Sequence, residues 1–192
     1  MKKFDCNDVR DFLTPKRKPA WMHESCGHSQ EVKEIDISSI DVDDLFSKFI
    51  AALRGIQIWF HGAHVLTKGT GFIGDHVGLY GRIYVAAADQ VDGAMEKVLG
   101  LTENESLICP KKLTGIVQKA LELYDSPEGQ PAIEIARTAL QIEKDFLTAI
   151  EVIYAVVKEH EMMTLGLEDF ITDLANTHEG YVYLLQQRIK SN

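Results

Sequence analysis

The sequence is poor in the features that mark several protein classes. Cysteine occurs only as Cys6, Cys26 and Cys109, an odd number without framework spacing. That excludes a disulfide-stapled scaffold and predicts reduced thiols in a cytoplasmic-type compartment. The longest unbroken apolar run, 83–88, is far below the roughly 20 residues of a membrane span. The opening Met1-Lys2-Lys3-Phe4-Asp5 has no apolar stretch behind it, so no secretory leader is expected. Gly-rich phosphate loops, Cys-x-x-Cys pairs and serine nucleophile elbows are missing, which removes the chemistry each would carry. Strand-type alternation is also missing.

What remains is an ordinary folded composition, 45% hydrophobic and 26% charged over 192 residues, enough for one domain. The net charge of −9 is unevenly placed. Residues 1–20 carry a local +3 that includes Lys16, Arg17 and Lys18, and the remainder carries −12. An acidic body repels polyanions, so only the basic arm has a route to nucleic acid.

Four stretches carry helical periodicity. The first begins at Asp41, an N-cap, and runs through Leu45, Phe49, Leu53, Ile56 and Phe60, with Gly62 and 68–71 punctuating its end. The second covers 73–99, with Leu79, Ile83, Ala87, Val91 and Met95 on one face and Gly100 as its stop. The third covers 131–161 and the fourth 167–190. A short helix is expected at 111–124, inside a link too long for a bare loop. One long crossover with an inserted short helix predicts an all-α, ferritin-like four-helix bundle over 41–192. Residues 1–40 form an extension outside it.

Histidines and carboxylates gather near the ends of the first two helices: His61, His64, Asp75, His76, Asp89, Asp92 and Glu96. His61 and His64 share a helix face, as do Asp92 and Glu96. Imidazole and carboxylate without thiols suit iron, manganese or zinc. An acidic pair one turn apart is also an ordinary solvated face. His23, Cys26 and His28 have ligand-like spacing but no evident fourth ligand, and a plain polar tail is the simpler reading. Trp59 is expected to pack beside the first helix, Cys109 to be structural, and His160 and His178 to be ordinary surface histidines.

Residues 57–100 resemble the iron-site segment of the Dps family, the mini-ferritins named as DNA-binding proteins of starved cells. His64, Gly69, Phe72 and His76 keep the family's intervals, and Asp92 and Glu96 follow if one extra residue is allowed after His76. The ending from Asp173 to Glu179, then Tyr181 and Leu184, is similar too, so the resemblance covers about 41–190. It implies twelve subunits closed into a hollow shell. His64 and His76 of one subunit would bind iron, di-iron or mononuclear, opposite Asp92 and Glu96 of its two-fold neighbour. Ferrous iron would be oxidised, typically by hydrogen peroxide, and the ferric mineral stored inside. His61 and Asp75 are further candidate ligands. The family's usual aspartate four residues after the second histidine is replaced by Tyr80, with Gly81 next. That departure predicts a site that is weakened, altered in metal preference, or vestigial.

Two other functions compete. A structural or DNA-compacting shell with a degraded metal site is favoured by the missing aspartate and by Lys16-Arg17-Lys18, since many weak arms on one particle add up. A small-molecule di-metal enzyme of this fold expects Glu-x-x-His on two helices. Neither helix has it: Glu161 follows His160 directly, and Glu179 follows His178.

Overall fold

Asp41 begins the first long helix as its sequence position predicts, its carboxylate accepting from the N–H groups of Asp43 and Asp44 at 3.0 and 3.3 Å. Those are donors that a helix start leaves unsatisfied. The computed structural model describes residues 37–190. Among them every regular element is helical. The five longer helices are α1 (Val42–Leu66), α2 (Gly81–Thr102), α3 (Pro110–Leu121), α4 (Ala132–Glu159) and α5 (Leu165–Ile189). A π-helical segment, Gly74–Tyr80, leads directly into α2. No helix among these residues is long and apolar enough to cross a membrane.

The expected apolar stripes are the buried ones. Leu45, Phe49, Leu53, Ile56 and Phe60 of α1 meet Ile83, Ala87 and Val91 of α2, Phe146, Ile150 and Ile153 of α4, and Leu174 and Leu185 of α5 in one core. Each large side chain so buried contributes roughly 1.5–3 kcal/mol relative to exposure. Helix α1 packs on α2, α3 and α4, while α5 packs on α4 and touches α2.

Several boundaries differ from the sequence reading, three of them at glycines or at the candidate site. Gly62 does not end α1, which continues to Leu66. A Cβ at Gly62 would lie 3.5 Å from Pro127, so the glycine marks where the crossover approaches the helix. Gly100 is not the end of α2 either. The chain stays helical to Thr102 and stops with Glu103 in the left-handed region at φ 52°. The third difference is the π-helical start of the second helical stretch, and it shapes the site.

The short crossover helix is present as α3, with Pro110 in its first turn and Leu113 and Val117 turned inward. Trp59 packs edge-on against Phe60, and its indole N–H donates to the Asp125 carbonyl at 3.0 Å. That bond ties the crossover back to α1. Cys109 is an exposed free thiol.

Candidate metal centre

His64 lies in the last turn of α1 and His76 in the π segment, and the intervening turn at 67–73 folds one over the other. Their rings stack with centroids 3.7 Å apart and planes 14° apart. His64 Nδ1 is 2.6 Å from the carbonyl oxygen of His76, and His76 Nδ1 is 2.5 Å from the carbonyl oxygen of His64. A carbonyl only accepts, so both Nδ1 atoms carry the hydrogen and donate. In the neutral rings each Nε2 then holds a free lone pair. An imidazole whose other nitrogen is pinned to a backbone carbonyl is the arrangement that orients histidine for a metal ion. Phe72 stacks on the outer face of His76 at 4.7 Å, and Tyr84 lies 5.0 Å from His64.

The π segment explains how His76 reaches this position. Its turns close one residue later than α-helical turns, so the Gly81 N–H donates to the His76 carbonyl. That oxygen therefore accepts from both Gly81 and His64. A Cβ on Gly81 would lie 2.7 Å from the same oxygen and 3.2 Å from His64 Nδ1. Gly81→Ala is accordingly expected to destabilise the protein by about 1–3 kcal/mol through overpacking. The loss is measurable by thermal or urea unfolding, and it comes with disruption of the imidazole pair.

Asp75, a candidate ligand from the sequence, is committed elsewhere. It is buried, and its two oxygens accept from Nε and Nη2 of Arg188, in the last turn of α5, at 2.7 and 2.9 Å. Tyr80, where the Dps pattern has an aspartate, points into the core against Phe60. Burial, reinforced by the charge of Asp75, raises its phenol above the usual range. His61 stacks on Tyr84 at 4.6 Å, its ring 6.4 Å from that of His64.

Asp92 and Glu96 are exposed on α2. The rise from Gly81 to Asp92 alone is about 16 Å, so they do not share a site with the imidazole pair of the same chain. Among the described residues, no three His, Cys, Asp or Glu side chains form a group that could hold a metal ion. One chain thus brings His64 and His76 together, with His61 nearby, and leaves the acidic pair apart. Lys16, Arg17, Lys18, His23, Cys26 and His28 lie outside the described residues.

His178 is a correction to the sequence reading. It is a core residue of α5, completely buried, with Nδ1 2.5 Å from Oε2 of the equally buried Glu143 on α4. Its Nε2 lies 3.1 Å from Gln90 Oε1 on α2. Burial raises the Glu143 carboxyl above its ordinary range, although His178 opposes the shift. The second carboxylate oxygen has no hydrogen-bond partner among the described residues. The signal was available in the periodicity: Glu143 falls between Ala139 and Phe146 on the α4 stripe, and His178 between Leu174 and Tyr181 on the α5 stripe.

Compared with protein-family models and with curated proteins, the sequence matches none.

Proposed function

We propose that the chain is a Dps-like, ferritin-like iron handler, in which ferrous ions are the substrate and hydrogen peroxide the oxidant. The observation that carries this reading is the reciprocal pinning of His64 and His76 through Nδ1, which turns two adjacent Nε2 lone pairs to other use. Two ferrous ions each give one electron to peroxide. The O–O bond breaks, and two protons complete two waters beside two ferric ions. Pairing the electrons avoids release of a hydroxyl radical.

Two imidazoles make an incomplete ligand set, and a second copy of the chain would supply Asp92 and Glu96. The surface around the pair fits such a partner, since Val65, Leu66, Phe72, Ile73 and Val77 are all exposed apolar residues. Contiguous exposed apolar surface marks an association site. The π segment supports the family spacing as well. A turn closing one residue later accommodates one more residue between His76 and Asp92, which is the single addition the Dps pattern needs. A twelve-subunit shell, stored ferric mineral and a cytoplasmic location belong to the same proposal. The acidic body would draw cations inward.

A DNA-compacting shell with a degraded metal site is the second reading. It is favoured by Asp75 being held on Arg188 and Tyr80 being buried, so that among the described residues no carboxylate completes a metal-holding group with the imidazoles. Anaerobic loading with ferrous iron followed by peroxide separates the two. On the iron reading, His64→Ala lowers the oxidation rate more than about 10-fold. A wild-type rate in that variant, or no oxidation by the parent protein, contradicts the iron reading.

A further inference from the structure

We infer that Arg188 is a positioning residue for the imidazole pair, acting through Asp75 from a helix more than a hundred residues away in sequence. The inference rests on the iron reading for its purpose and on the geometry of the π segment for its mechanism.

A π segment is a poor helix by itself, and this one holds Gly74 and Gly78 and is followed by Gly81. It needs contacts from outside. Two polar attachments hold it at the adjacent positions 75 and 76. At 76 are the reciprocal bonds between His76 and His64. At 75, Asp75 is buried at 2% exposure and accepts both forks of the Arg188 guanidinium. A bidentate guanidinium–carboxylate pair fixes direction as well as distance. The segment is also packed close to the clamp. A Cβ at Gly71 would come within 3.0 Å of Arg188 Nη2 and 3.2 Å of Asp75 Oδ2, and the Gly71 carbonyl accepts the Asp75 N–H at 2.9 Å. Fixing Asp75 restricts the backbone of the residue that follows it. The His76 ring then lies over His64, and its carbonyl faces both His64 Nδ1 and the Gly81 N–H. Arg188 is 30% exposed and sits in the last turn of α5, so the clamp couples the end of that helix to the candidate centre.

The test uses the full chain, with Arg188→Gln to break the clamp and Arg188→Lys to keep one charged contact without the fork. Two readouts are taken. Backbone hydrogen–deuterium exchange by mass spectrometry compares residues 71–81 with α4, without any metal. Cobalt(II) titration, followed by its ligand-field absorption, measures the imidazole pair, with His64→Ala as the reference for specific binding. The expected result is faster exchange confined to 71–81 in Arg188→Gln. Cobalt(II) should bind it about 10–100-fold more weakly, as when an outer-shell partner is removed, with Arg188→Lys intermediate. Parental exchange at 71–81, or faster exchange with parental cobalt(II) affinity, overturns the inference. If Arg188→Gln does not fold, Arg188→Lys decides by the same two criteria. If the parent protein itself lacks His64-dependent cobalt(II) binding, the iron reading fails. Exchange at 71–81 then decides the clamp alone.

Discussion

His178→Ala is expected to destabilise the protein by about 3–5 kcal/mol, the cost of removing one partner from a completely buried, hydrogen-bonded polar pair. Both His178 and Glu143 are completely buried, and their 2.5 Å contact joins α5 to α4 through the middle of the core. Removing the imidazole leaves a buried carboxyl group with neither oxygen paired to a side chain, since Oε1 already has no partner among the described residues. It also opens a cavity beside Phe146, whose ring meets that of His178 edge-on at 4.5 Å. Replacing the pair together, as in Glu143→Leu/His178→Leu, removes both buried polar groups and fills the space. That variant is expected to be near the parent protein or above it in stability.

The pair also predicts a pH dependence. Burial raises the folded-state value for Glu143 above its ordinary 4.5. The folded protein therefore holds this proton more tightly than the unfolded chain does. The resulting stability is fully present below 4.5 and is lost as the pH rises through the raised value. Without His178, the two interactions that oppose the shift are gone, so His178→Ala should be rescued most by acid. Urea midpoints measured across this range check both statements. Glu143→Gln has no carboxyl there to titrate and should show a flatter profile than the parent.

The all-helical character of the fold was legible in the sequence because its main determinant is periodic. Positions such as Leu45, Phe49, Leu53 and Phe60 repeat at helical spacing, and they are the residues that bury. The Asp41 cap was legible because it depends on local chemistry, and the crossover helix because Leu113 and Val117 repeat at helical spacing. Gly62 and Gly100 misled because a glycine near a helix end can serve packing or simply continue the helix, and sequence does not distinguish these uses.

At the candidate site, the resemblance to the Dps pattern paired His64 with His76, but did not say how the pair is held. The π segment depends on Arg188, which is far away in sequence and has no local signature. Asp75 looks like a ligand on composition and is a structural partner in the fold. Glu143 and His178 sit on apolar stripes, where each alone reads as an interruption. Only the packing of α4 on α5 makes them partners.

The second large effect concerns the pairing of chains. The double variants His64→Ala/His76→Ala and Asp92→Ala/Glu96→Ala are each expected to lose peroxide-dependent iron oxidation by more than about 100-fold. On the proposed shared-site reading they remove opposite halves of one centre, since Asp92 is displaced along α2 from the imidazoles of its own chain. A two-fold interface repeats the same contacts in both directions. A mixed dimer of the two variants therefore contains one site with all four ligands and one site with none. Co-expression with random pairing should restore about a quarter of the parent activity, because half the dimers are mixed and each has one working site of two.

This complementation tests the central claim most directly, since it asks whether ligands from two chains form one centre. Recovery to about a quarter of the parent rate in the mixed preparation, with both separate variants inactive, is the predicted result. No recovery above the separate variants, or full activity in either one alone, would contradict the shared His64–His76–Asp92–Glu96 site.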